Sequence, residues 1–359
     1  MPRQDIPPLH GLRALASWTV VIYHFRELLQ PDNWARVFFD QGALAVDLFF
    51  AMSGYIICMC YGSVFERGIT ARQLGRFLSI RVARIYPLHA VLLLAWLSVP
   101  GILVATGRPV PLSFDPLYYM ASVLLVQGWG WTDQLAWNVP AWSISAELAF
   151  YLVFPFLAYA ARLQRTKASL AAGLGLALAG IMAGGLLFGG LTEHVAQQAP
   201  VRCITECILG MWVFHAARRL LIPSTMLFVA ASGLIGSYAL GLAPDYAVLP
   251  VAFGCIVWGV LDPLHIVSRV LSLPVLCWLG EISFSTYMVH FLVRDWLKRL
   301  AVGRVPDIAV FDAYIVIVLF ASVMLYRWVE VPGRRSGRRL TEQVFAQPGS
   351  PSVRGQKAA

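Results

Sequence analysis

GLRALASWTVVIYHF, residues 11–25, is an apolar run that carries a guanidinium and an imidazole, Arg13 and His24, eleven positions apart. At roughly 100° per residue the two side chains project from nearly the same helix face, about 16 Å apart along the axis. Each costs on the order of 2.5–3.5 kcal/mol at the centre of a bilayer, so such residues normally face a polar cavity or a partner. The plainer alternative lets Arg13 snorkel to the headgroups and makes His24 an interfacial residue.

The rest of the chain agrees with a membrane setting. Of 359 residues, 58% are hydrophobic and only 13% charged, with a mean hydropathy of +0.68, whereas soluble domains carry about 25% charged residues. Apolar stretches recur throughout, which predicts an all-α, polytopic integral membrane helix bundle. Ten spans are expected, near 11–29, 42–61, 86–106, 141–161, 168–189, 201–217, 222–240, 246–262, 273–293 and 309–328. A shorter apolar piece, PLYYMASVLLVQGW (116–129), reads as a re-entrant or interfacial helix, followed by a loop whose Trp129, Trp131 and Trp137 suit headgroup depth. The first run has no small-residue cleavage site behind it and is not read as a removable signal peptide. The membrane domain is expected over residues 1–340, with a disordered cytoplasmic tail over 341–359.

The net charge of +9 is not read as a nucleic-acid signal, because the cations sit in short inter-span loops, where they set orientation. Arg67, Arg72, Arg76, Arg81 and Arg84, then Arg162, Arg165 and Lys167, then Arg218 and Arg219, then Arg334, Arg335, Arg338 and Arg339 fall on one side. That side is cytoplasmic by the positive-inside rule, with both termini inside. Arg294, Lys298, Arg299 and Arg304 object, since they lie on the expected outer side; either they form an anionic site or the topology differs there. Only three of the 28 cations are lysines, none mid-span. Arginine dominance suits planar recognition of phosphate or carboxylate, though a GC-rich genome produces the same bias. The six cysteines lack zinc spacing, so no metal site and no disulfide is expected.

Four further segments concentrate polar residues. In VDLFFAMSGYII (46–57), Asp47 calls for a cation such as Arg13 or Arg84, while Ser53 and Gly54 suit close helix packing. In FLSIRVARIYPLH (77–89), Arg81 and Arg84 share a helical face; they either anchor the helix in the interface or clamp a phosphate bidentately. In NVPAWSISAELAFY (138–151), Ser143 and Glu147 stand one turn apart, and Glu147 is expected to orient a histidine as a base dyad. In LGEISFSTYMVHF (279–291), Ser283, Tyr287 and His290 form one stripe, either a hydrogen-bonding seam or a cavity lining. Glu330-x-Pro332 reads as the stop of the last span. P-loop, dinucleotide-fingerprint, zincin and serine-elbow patterns are absent from the sequence.

Taken in order, LHGLRALASWTVVIYHF, VDLFFAMSGYII, RVARIYP, VPAWSISAELAFY, LGEISFSTYMVHF and VEVPGRR resemble the membrane-bound acyltransferase 3 family, bacterial O-acyltransferases of surface sugars, over about residues 8–335. The resemblance implies ten spans in the bacterial inner membrane, an acyl-CoA donor (acetyl-CoA) as co-substrate with no bound cofactor, and a glycan or lipid-linked oligosaccharide acceptor. It implies that Arg13, His24, Arg81, Arg84 and Glu147 are functional. On this reading His24 and Glu147 are catalytic, with a transient acyl-histidine as the alternative. Arg13, Arg81, Arg84, Asp47, Ser143, Tyr287 and His290 are expected around the substrates. Membrane lipids and polysaccharide assembly machinery are the expected partners, and nucleic acid is not. One departure is His10, where the family usually has an acidic residue before Gly-Leu-Arg; it makes Asp47 the expected neighbour of Arg13. The esterase-like domain of some members has no counterpart here, so one membrane domain is expected to suffice. From another class, a glycan or anionic-lipid flippase would use the same charges, but no internal repeat supports it. A non-catalytic scaffold for polysaccharide assembly is the third reading.

Overall fold

The computed structural model describes residues 5–29, 39–163 and 166–345, and among them every named element is helical. In chain order the helices are α1 Pro7–Phe25, α2 Ala45–Phe65, α3 Ala71–Trp96, α4 Ser98–Ala105, α5 Pro116–Val123, α6 Trp142–Ala161, α7 Lys167–Phe188 and α8 Val195–Ala217. They continue as α9 Ser224–Ala239, α10 Asp245–Gly259, α11 Ile266–Leu271, α12 Pro274–Glu281, α13 Ser283–Leu300, α14 Asp307–Leu325 and α15 Val331–Val344. Helices therefore occupy all ten expected positions. By length and composition, however, five among the described residues qualify as membrane spans, or six if the α12–α13 pair, bent by 63°, counts as one.

Local chemistry sets several boundaries. Thr70 and Gln73 close a capping box at the start of α3, and Thr166 with Ser169 does so at α7, satisfying N–H groups that a helix start leaves orphaned. Pro7, Pro116 and Pro274 stand in the first turns of α1, α5 and α12, where a missing N–H costs nothing. Pro87 lies inside α3, so that helix runs through the expected break and starts well before residue 86. At the other end, α14 does not stop at Glu330. It passes through a π-helical turn, Tyr326–Glu330, into α15, which reaches Val344. The remainder of the expected tail, like Arg165, lies outside the described residues.

α2 sits at the centre, packed against α1, α6, α8 and α10. Its contact with α8 is reciprocal. A Cβ on Gly54 would fall 2.0 Å from the Cys207 carbonyl oxygen, and one on Gly210 would fall 2.0 Å from that of Ala51. Only glycine permits this backbone approach, which is how helices gain packing where lipid supplies no hydrophobic drive. By contrast α7 keeps Leu176, Leu186 and Leu187 exposed, the face expected of a peripheral helix in lipid. α5 is the short helix expected at 116. Trp131 behind it is exposed, but Trp137 is buried against Phe114 and Tyr119, its indole N–H donating to the Asp115 carbonyl at 2.8 Å. Trp137 is therefore a packing residue, not a headgroup anchor.

Candidate functional site

A cavity of about 170 Å³ opens between α1, α2, α3, α6 and α13. Its polar wall is Arg13, Ser53, Arg81, Arg84, Ser143, Glu147, Tyr151, Ser283 and Tyr287, and Val46, Phe49, Met52, Ile57, Ile85 and Phe284 are among its apolar lining. Six of the nine site residues expected from sequence thus meet in one place: Arg13, Arg81, Arg84, Ser143, Glu147 and Tyr287. Arg81 and Arg84 of α3 line this cavity inside the bundle and are not lipid-interface anchors.

Each of these two arginines has its own carboxylate. Arg81 donates from Nη2 to the Tyr151 hydroxyl at 2.5 Å and lies 3.7 Å from Glu147. Glu147 also accepts from Ser53 Oγ at 3.0 Å. Arg84 donates from Nη1 to Glu330, whose second oxygen accepts from Ser285 Oγ at 2.8 Å. Arg13 has no hydrogen-bond or ion-pair partner among the described residues, although Arg84, Glu330, Glu147 and Arg334 are its electrostatic neighbours. Three guanidiniums against two carboxylates leave the cluster cationic. A half-buried cation with space in front of it and no direct ion pair can take an anionic group, since charge-assisted hydrogen bonds to phosphate or carboxylate are the strong ones.

Glu147 is accordingly not the orienting partner of His24. The imidazole of His24 donates from Nδ1 to the Val20 carbonyl at 3.0 Å. A carbonyl only accepts, so Nδ1 carries the hydrogen and the lone pair of the neutral ring sits on Nε2. His290 repeats the arrangement, donating from Nδ1 to the Tyr287 carbonyl at 2.7 Å, with a buried Nε2 that has no partner among the described residues. The two rings lie 5.0 Å apart, edge to face, with Phe291 5.4 Å from His24. This pair is not part of the cavity lining. Tyr287 stands between, lining the cavity with its ring 5.9 Å from that of His290.

Asp47 is also corrected. It faces neither Arg13 nor Arg84 but takes Arg202 Nε and Nη2 at 2.6 Å each, with both residues almost fully buried. Arg202 spends its remaining nitrogen on the Leu191 carbonyl at 2.5 Å. The pair joins α2 to α8 and lies off the cavity. The objecting cations of α13 resolve locally: Glu27 takes Arg294 at 3.4 Å and also Lys298, and Asp295 takes Arg299 at 2.8 Å. Arg304 Nη1 caps the Leu300 carbonyl at 2.7 Å. What sequence reading missed is Glu330, read as a helix stop. The available signal was a carboxylate ending an apolar run directly before four arginines.

A family model described as an acyltransferase domain matches residues 7–327. Acyltransferase MdmB of Streptomyces mycarofaciens is 26% identical, the alignment covering 93% of each chain. Peptidoglycan O-acetyltransferase OatA of Listeria monocytogenes is 23% identical, over 93% of this chain and 57% of its own length, so the chain spans little more than half of that relative. No solved structure gave a match.

Proposed function

We propose, from the premise that this chain belongs to the acyltransferase 3 family, that it is a membrane O-acyltransferase moving an acyl group, acetyl in the first instance, from acyl-CoA to a sugar hydroxyl of a surface glycan or its lipid-linked precursor. The observation that carries the donor half is Arg13, a partnerless cation facing a cavity whose other two arginines are already oriented by Tyr151, Glu147 and Glu330. An anionic substrate that enters there meets three guanidiniums, and the pyrophosphate of coenzyme A has the matching chemistry. Its pantetheine arm would extend past Tyr287 toward the histidines.

His24 is the proposed general base. Its Nε2 takes the proton of the acceptor hydroxyl as the oxygen attacks the thioester carbonyl; the carbon–sulfur bond breaks and the proton returns to the thiolate. The Val20 carbonyl fixes the competent tautomer, the task assigned from sequence to Glu147. Glu147 instead sets the angle of Arg81. Ten spans, both termini cytoplasmic and an inner-membrane location complete the reading; reporter fusions after Arg162 and Arg339 should read cytoplasmic, and one near Glu193 periplasmic.

Purified protein given acetyl-CoA and a membrane-linked glycan should transfer acetyl, and His24→Ala should lose about 10²–10⁴-fold in turnover while remaining folded. Retention of more than about a tenth of the activity would return His24 to a packing role. Mass spectrometry of surface glycans with and without the protein identifies the acceptor.

A further inference from the structure

We infer that Glu330 is a positioning residue for the donor site, holding the guanidinium of Arg84 at the angle from which its free edge meets the donor phosphate. The inference rests on the acyl-CoA reading above. Glu330 is only 2% exposed and both its oxygens are committed, one to Arg84 and one to the Ser285 hydroxyl at 2.8 Å. The remaining N–H edge of Arg84, Nε and Nη2, has no partner among the described residues, and the side chain lines the cavity. The bond from Nη1 to a carboxylate that is itself held by Ser285 restrains the fork, so the opposite edge is pre-aimed and loses less freedom on binding.

The surrounding backbone is built for this. Glu330 ends the π-helical turn Tyr326–Glu330. One wide turn shifts the inward register of the helix by one residue, and such turns recur at functional sites. Beyond it, α15 is pressed onto α3 next to Arg84: a Cβ on Gly333 would fall 2.5 Å from Pro87 Cβ, and one on Gly337 would fall 2.4 Å from Ala83 Cβ. The same segment that grips Arg84 electrostatically therefore also fixes the helix that carries it.

The test is steady-state kinetics with direct binding of coenzyme A to full-length purified protein. Glu330→Gln keeps shape and removes charge; the donor KM should rise about tenfold, with kcat and the acceptor KM changed less than about twofold. Arg84→Lys should do the same, and the double variant should be no worse than the poorer single one, because the two act as a unit. Ser285→Ala, which removes one of the two contacts and is the milder variant should Glu330→Gln not fold, should raise the donor KM about threefold. Glu330→Asp should recover part of the loss. If wild type binds coenzyme A and both Glu330→Gln and Ser285→Ala bind it equally well, the positioning role is overturned. If wild type itself does not bind coenzyme A, the donor reading fails instead. A uniform loss in kcat and both KM values, tracking lowered thermal stability, would reduce Glu330 to a helix joint and overturn the role as well.

Discussion

The cavity arginines and the Asp47–Arg202 pair use the same two kinds of side chain inside one bundle and do opposite things with them. Arg202 has all three nitrogens engaged: two on Asp47, one on the Leu191 carbonyl, and no cavity in front of it other than a space too small for more than one water. In the cavity, among the described residues, Arg13 has no ion pair, Arg81 has a buried Nε without a partner, and only one edge of Arg84 is taken. Counting which nitrogens already have acceptors separates a structural ion pair from a candidate anion site built of the same residue types.

The largest effect expected is on the Asp47–Arg202 pair. Arg202→Ala leaves Asp47 charged and buried, which costs about 3–5 kcal/mol. Thermal unfolding in detergent should show it, and the protein that survives should keep a wild-type donor KM. Were stability unchanged and donor use impaired, Asp47 would belong with the cavity after all. Next is Arg13→Ala, which deletes a charge-assisted contact worth about 1.5–3 kcal/mol and should raise the donor KM roughly tenfold to a hundredfold. Its melting temperature should not fall, since no partner is orphaned; a clear drop would mean that Arg13 is structural. Arg81→Lys keeps the charge but cannot reach Tyr151 and Glu147 in one plane, so a severalfold rise in donor KM is expected, about 1 kcal/mol. Ser53→Ala is the smallest. It removes one hydrogen bond to Glu147, about 1 kcal/mol or less, and an effect on donor KM as large as that of Arg81→Lys would make Glu147 more than a brace.

Sequence spacing made much of this legible. Ten helical positions and the short α5 follow from period and hydropathy, whereas gathering Arg13, Arg81, Arg84, Glu147, Ser143 and Tyr287 about one site was what the family resemblance implied. Partner choice did not. Asp47 needed a cation, and Arg13 and Arg84 were the expected ones, but the α2–α8 contact selects Arg202. Glu147 needed a donor and found Ser53 and Arg81, because the orientation of His24 had already been settled within its own helix by the Val20 carbonyl. Glu330 was hidden by the π turn, since extrapolating a 3.6-residue period through a 5-residue turn places the wrong residue inward. Span counting is limited for a similar reason: α9 and α10 are apolar but short, and α12 and α13 share one stretch broken by a 63° bend.

The paired glycine contacts between α2 and α8 have a mechanical consequence. Two helices locked backbone to backbone at Gly54 and at Gly210 cannot slide by a residue without driving a carbonyl into a neighbouring turn. They form one lever, and the Asp47–Arg202 bond pins it at a third point. A flippase would need such a lever to part from its neighbours and swing in every cycle. A transferase needs only that Tyr287 yield, one ring turning aside while the frame stays still. Cross-linking this lever to its neighbour α10 should therefore leave acyl transfer intact, and an arrested protein would bring alternating access back into play.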